Sequence, residues 1–220
     1  MKIIAKIYND YTEKFGIPRQ SGLINENISR IVFQGEYKHP DAIRGIEEFS
    51  HLWLLWEFSQ NSREDWKATV RPPRLGGNKR VGVFATRSPF RPNNIGLSCV
   101  RLIKAENGEL FVTGADLLNG TPIYDIKPYL AYTDSHPEAK GGFAQEVFEN
   151  NSQVEIREEL LKRLPEDKRK PVISILQGNP KPAYHKDDQR IYGFSYGGYE
   201  IKFRAEKNKI IVTDILKVEE

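Results

Sequence analysis

"IGLSCVRLIKAENGELFVTGADLLNGTPIYDIKPY", residues 95–129, decides the fold class. Three runs rich in Val, Ile, Leu, Phe and Tyr, 95–104, 110–117 and 123–129, are divided by turn-forming segments such as "LNGTP". That spacing predicts strands. Working outward, similar runs occupy 3–8, 30–34, 50–58 and 80–87, punctuated by "GIPRQSG", "RPPRLGGNK" and "RSPFRPNN". Helical periodicity is poor before residue 135, except around 42–49. Short strands at near-regular spacing predict a closed barrel or a sandwich.

Past residue 135 the pattern changes. "SQVEIREELLKRLPEDKRKP" has a capping-box spacing, Ser152 to Glu155, ahead of an amphipathic run. Pro165 stops that helix and Pro171 begins another through "VISILQ". The ending, from 191, predicts two or three antiparallel strands with tight turns at Gly197-Gly198 and 206–209. The expectation is a mainly β chain: a β-barrel over 1–137 and a smaller α+β unit over 138–220.

A chain of 220 residues, 39% hydrophobic and 29% charged, has an ordinary globular composition. No apolar run approaches the ~20 residues that span a bilayer, and "MKIIAKIYND" lacks a secretory core, so no membrane role is expected. Cys99 is the one cysteine, which predicts no disulfide and fits a reducing cytoplasm. Four scattered histidines, at 39, 51, 136 and 185, give no metal-site spacing. Neither G-x-G-x-x-G nor a P-loop is present.

The net charge of +3 matters less than its placement. From Trp66 to Ala105 there is no acid, while nine bases occur: Lys67, Arg71, Arg74, Lys79, Arg80, Arg87, Arg91, Arg101 and Lys104. Within it, "RPPRLGGNKR" reads either as a solvated connection or as a phosphate-facing loop, with arginine forks and close backbone approach at Gly76-Gly77. In "FATRSPFRPNNIG", Pro89 and Pro92 restrict the chain, and Asn93-Asn94 tolerate unusual turns. Such stiffness suits a site where Arg87, Arg91 and Phe90 hold an anionic, aromatic ligand, and RNA is both. Asp116 and Asn119 fit two readings: Asx turns around Gly120, or partners for a ribose or adenine edge. Arg19 and Gln20 in "FGIPRQSG" leave the same choice open.

The stretches "KFGIPRQSGL", "FSHLWLLWEF", "VRPPRLGGNKRVGVFATRSPFRPNNIGLS" and "DLLNGTPIYDIKPYL" resemble the TrmO (YaeB/VirR-like) family of S-adenosylmethionine-dependent tRNA methyltransferases. The likeness covers nearly all of 1–135. It implies a single-sheeted antiparallel barrel that binds S-adenosylmethionine without a Rossmann fold, and a homodimer. It implies N6-methylation of threonylcarbamoyladenosine at position 37, beside the tRNA anticodon. By motif, the implied cofactor contacts are Pro18, Arg19, Gln20, Ser59, Gln60, Arg87, Cys99, Asp116, Leu117, Leu118 and Asn119. Ser59 stands where relatives often have histidine. Implied tRNA contacts are Arg71, Arg74, Lys79, Arg80, Phe90, Arg91, Asn93, Lys181 and Tyr184. Near the C-terminus the family's Asp-Pro-Arg-Pro-Ala-Tyr reads Asn179-Pro180-Lys181-Pro182-Ala183-Tyr184 here, which keeps a charge but loses the planar fork and a carboxylate.

For the chemistry, Arg87 or Arg91 is expected to stabilise a developing anion or hold the threonine carboxylate. Tyr124, Asp125 and Asp116 are the candidates for handling the N6 proton. Two alternatives compete: a non-catalytic RNA-binding barrel, and a methyltransferase acting on another nucleotide-like substrate.

Overall fold

The computed structural model describes residues 1–60, 66–72, 75, 79–147, 152–181, 187, 189–207 and 209–218. The first strands are β1 (Ala5–Tyr8), β2 (Ile28–Phe33), β3 (His51–Glu57), β4 (Thr69–Val70), β5 (Val81–Gly82), β6 (Ile95–Glu106), β7 (Glu109–Thr113) and β8 (Pro122–Pro128). Six of them close an antiparallel barrel in the order β1-β2-β7-β6-β3-β8, and β8 pairs back onto β1. β4 and β5 form a separate two-stranded ribbon.

Alternation decides which side chains fill the barrel. β3 sends Leu52, Leu54 and Trp56 inward, leaving His51, Trp53, Leu55 and Glu57 half-buried outside. From β6, Gly96, Ser98, Val100 and Leu102 point inward, while Leu97 and Ile103 are exposed. Trp56 pairs with Gly96 across the two strands. The indole occupies the space a side chain would need, since a Cβ on Gly96 would lie 2.2 Å from Trp56 Cε2.

After the barrel come α1 (Ala131–Asp134), β9 (Gln153–Glu155), α2 (Glu158–Leu161), α3 (Glu166–Gln177), β10 (Tyr192–Tyr196), β11 (Tyr199–Glu206) and β12 (Lys209–Lys217). The last three strands form a meander, and β9 adds parallel to β12, giving the order β10-β11-β12-β9. Leu160, Val172, Ile175 and Leu176 from the helices, with Leu164 from the link between them, share a core with this sheet.

Four local expectations change. The strand expected over 80–87 pairs only at Val81–Gly82 and then tightens into a 3-10 turn, Val83–Ala85. The Arg91 guanidinium holds that turn by donating to the carbonyls of Val83 (3.2 Å) and Thr86 (2.7 Å). The helical stretch at 42–49 is instead a pair of 3-10 turns, Pro40–Ile43 and Ile46–Glu48, parted by Gly45 at φ 81°. The capping box at Ser152 is absent, because 153–155 is β9 and α2 starts only at Glu158. Pro171 begins no helix either; it lies within α3, buried.

The β1–β2 connection, 9–27, belongs to both halves. Tyr11 and Ile24 are buried in the core of the second sheet. The Glu13 carboxylate accepts the Ser195 N–H at 2.6 Å, Lys168 pairs with Asp10 at 2.7 Å, and the Tyr196 hydroxyl donates to Asn27 at 3.0 Å. Gly16, at φ 93°, presses its backbone on the Phe194 ring, and a Cβ there would lie 2.8 Å from Cδ2. Gly16→Ala is therefore expected to cost about 1–3 kcal/mol through combined overpacking and backbone strain, read as a lower midpoint in chemical denaturation.

Candidate active site

The barrel's strand directions send the connections 9–27, 58–94 and 114–121 out of one end. Every expected cofactor residue except Cys99 lies on these three connections. Cys99 sits on the outer side of β6, where its N–H donates to Ser21 Oγ (3.1 Å) and so draws the first connection down the barrel wall. Gly22 N–H to the Gly114 carbonyl (2.8 Å) fastens the first connection to the third.

Arg87, Gln20 and Asp116 come together at this mouth. Arg87 Nη1 donates to Gln20 Oε1, and Gln20 Nε2 donates to the Arg19 carbonyl at 2.5 Å. Asp116 Oδ1 accepts from Ser98 Oγ at 2.5 Å, and Ser98 Oγ accepts from Trp56 Nε1 at 2.9 Å. This chain runs from the packed barrel interior to the mouth and fixes the carboxylate. Burial pushes the Asp116 carboxyl above the usual carboxylate range, against the opposing pull of the Ser98 hydroxyl and the Arg87 charge. Burial likewise raises the Cys99 thiol, so it is a packing and contact group rather than a thiolate.

A raised pKa in the folded state means that folding prefers the protonated acid. Ionised Asp116 therefore costs stability, and the cost appears as pH rises above 3.8. Asp116→Asn removes it. The variant's melting temperature relative to the parent is expected to climb between about pH 4 and pH 7.

The remaining expected residues divide. Asn119 Oδ1 accepts the Asn9 N–H (3.1 Å), and Asn9 Nδ2 donates to the Leu117 carbonyl (2.9 Å), so this part serves loop structure. Leu117 is fully buried in the barrel core, while Leu118 is half-buried at the mouth. Gln60 is reached through its carbonyl by Lys14 Nζ at 2.8 Å, and Ser59 beside it is exposed. Pro18 and Arg19 lie on the first connection; Arg19 Nη2 donates to the carbonyls of Asn179 (3.2 Å) and Lys181 (3.5 Å). That contact brings Asn179 and Lys181 to the first connection. Lys181 Nζ itself points to the Ala205 carbonyl, 3.4 Å away.

Of the proposed catalytic groups, Arg91 braces the Val83–Ala85 turn. Tyr124 donates to Glu57 Oε2 at 2.5 Å, and burial with that acid pushes its hydroxyl up to about 12. Tyr124 thus keeps its proton at neutral pH. Asp125 is paired with Lys127 at 2.8 Å on the outer side of β8. Arg71, Lys79, Arg80 and Asn93 are exposed along the second connection, with Phe90 half-buried. Arg74 and Tyr184 lie outside the described residues. Sequence reading missed Ser21, Trp56, Glu57 and Ser98; Glu57, the acid closing an otherwise apolar strand, was the readable signal among them.

Residues 6–135 match the tRNA-methyltransferase O N-terminal domain, and 148–218 match the TrmO C-terminal domain. The chain belongs to the tRNA-methyltransferase O family. Among TrmO relatives, the tRNA (adenine(37)-N6)-methyltransferase of Escherichia coli K12 is 40% identical over 214 residues, covering 92% of this chain and 91% of the relative. The corresponding enzyme of Eikenella corrodens is 42% identical over 175 residues, covering 78% and 99%. A crystal structure of TrmO from Pseudomonas aeruginosa superimposes with a TM-score of 0.80 at 32% identity, covering 98% of this chain and 95% of that one.

Proposed function

We propose that this chain is an S-adenosylmethionine-dependent tRNA methyltransferase that methylates N6 of adenosine 37, and that its substrate adenosine already carries the threonylcarbamoyl group. The observation that carries the reading is the Gln20–Arg87–Asp116 cluster at the barrel mouth, in a chain whose TrmO relatives bear that activity in their names. The donor set suits the cofactor. An arginine fork and a glutamine amide match an amino-acid carboxylate, and a half-buried carboxylate matches a ribose diol or an ammonium.

S-adenosylmethionine supplies an electrophilic methyl group on sulfur. Methyl transfer is an in-line displacement, so the protein's task is to hold the acceptor nitrogen in line. The exocyclic adenine nitrogen is a weak nucleophile, and the carbamoyl carbonyl makes its N–H more acidic. Asp116 is the acid whose surroundings suit proton acceptance, since burial raises its carboxyl above the usual carboxylate range. Tyr124 holds its proton and Asp125 has a cationic partner. Arg87 lies close enough to Asp116 to act on its charge, and so also serves a substrate carboxylate or a developing anion there.

The same reading includes tRNA contacts from the basic second connection and from Lys181 and Tyr184, a cytoplasmic location, and a homodimer. Exposed Leu97 (56%) and Ile103 (47%) on the outer side of β6 support self-association. The deciding experiment is nucleoside mass spectrometry of tRNA incubated with the protein and S-adenosylmethionine. A methylated threonylcarbamoyladenosine supports the reading. Methylation of unmodified adenosine alone overturns the substrate, and tight RNA binding without methyl transfer overturns the enzyme.

A further inference from the structure

Two large aromatic side chains on the second connection belong to neither core. Phe84 is 69% exposed and Trp66 is 50% exposed, yet their rings stack on each other, 6.1 Å between centroids at 24°. Exposed aromatics gain no core burial, so their fixed placement calls for another account. The placement is fixed by the backbone. Val83, beside Phe84, is buried, and its N–H donates to the Ala68 carbonyl at 2.9 Å. The Val83 carbonyl accepts from Thr86 N–H (3.1 Å), Thr86 Oγ1 (2.8 Å) and Arg91 (3.2 Å). The Arg91 guanidinium also lies over the Phe84 ring, 5.6 Å from its centroid. On the other side, the pairing of Thr69 with Gly82 and of Val70 with Val81 brings Trp66 alongside.

We propose that Trp66 and Phe84 form a stacking platform for an unpaired base of the RNA substrate. The inference rests on the RNA-methyltransferase reading above. Charge selects the occupant: the platform stands in a stretch of nine bases and no acid, which favours a planar ring carried on a polyanion. Arg91 then acts as a positioning residue, keeping the Phe84 turn closed beneath the base. The division of labour is spatial. The Arg87 cluster receives the target nucleoside, and the platform, whose Phe84 lies three residues before Arg87 in the chain, holds a neighbouring base that has left its stack.

The test uses the full chain with tRNA and with a short single-stranded RNA. Phe84→Ala and Trp66→Ala are each expected to raise KM for tRNA about 10-fold, with kcat and the affinity for S-adenosylhomocysteine unchanged. Phe84→Tyr restores KM and Phe84→Leu does not, which separates stacking from mere apolar bulk. The single-stranded RNA quenches tryptophan fluorescence in the parent, and Trp66→Phe removes most of that quenching while binding persists. Unchanged KM in both alanine variants overturns the platform. So does a shift from dimer to monomer in Phe84→Ala, which would assign the patch to a second copy of the chain. If the parent binds and quenches with single-stranded RNA yet methylates no tRNA, the enzymatic reading fails and the platform stands.

Discussion

Arg87→Ala is expected to weaken S-adenosylhomocysteine binding about 10- to 100-fold, the effect of losing one charge-assisted contact of roughly 1.5–3 kcal/mol, and to slow tRNA methylation at least as much. The reason is that Arg87 holds two things at once. Its guanidinium donates to Gln20, which fixes the first connection, and its charge opposes the burial of Asp116. Without it the loop loses an anchor and the Asp116 carboxyl rises further, so its proton is held to higher pH. Arg87→Lys is not expected to rescue the loss, because an ammonium on a flexible stem cannot reproduce a planar fork. Calorimetric titration reads the affinity, and the pH–rate profile reads the carboxyl: its acid limb moves to higher pH in the variant. An unaltered affinity would reduce Arg87 to a loop brace.

Gly96→Ala carries the largest expected effect on stability. The new methyl would sit 2.2 Å from Trp56 Cε2, 2.4 Å from Cζ2 and 2.6 Å from Cδ2, so the indole must leave its place. Trp56 is 6% exposed, and its neighbours in the barrel leave it nowhere to go. A cost of about 3 kcal/mol follows from overpacking, or a melting temperature lower by roughly 6–12 °C for a chain of this size. Moving the indole also breaks the Trp56–Ser98–Asp116 chain. Cofactor affinity is therefore expected to fall together with stability, although Gly96 touches no ligand. A variant with a normal melting curve would show that the indole and the two strands move apart more easily than their pairing suggests.

The strands were legible in the sequence because each is a short run of β-branched or aromatic residues bounded by turn residues. That pattern left barrel and sandwich open, the family resemblance implied the barrel, and pairings such as β2 with β7 and β3 with β8 are long-range. The second connection was legible as chemistry but not as geometry. Its prolines forecast stiffness, yet only the fold shows that Arg91 braces the Val83–Ala85 turn while Arg87 reaches Gln20 on the first connection. Ser152 illustrates the opposite failure. Its spacing to Glu155 satisfies a local helix signal, but β12 offers residues 153–155 a long-range partner that no local pattern reveals. Ser98 and Trp56 escaped notice for the same reason: inward-facing strand residues look like core until a partner from another connection, here Asp116, is brought to them.

The anchoring of the first connection has a consequence in time. Glu13 and Ser195 are 182 residues apart in the chain, Asn27 and Tyr196 are 169 apart, and Arg19 and Asn179 are 160 apart. The residues needed for the barrel's six strands have all been synthesised by Pro128. The segment that carries Pro18, Arg19 and Gln20 is among the first made. Although Ser21 and Gly22 fasten it to the barrel, its contacts with Asn179, Ser195 and Tyr196 arrive only with the second unit. Contacts of such separation form late, because their closure entropy must be met before they reward it. A ribosome-bound chain can thus own a finished barrel with an unfinished mouth, and full ordering of the first connection becomes a signal that the second sheet has docked.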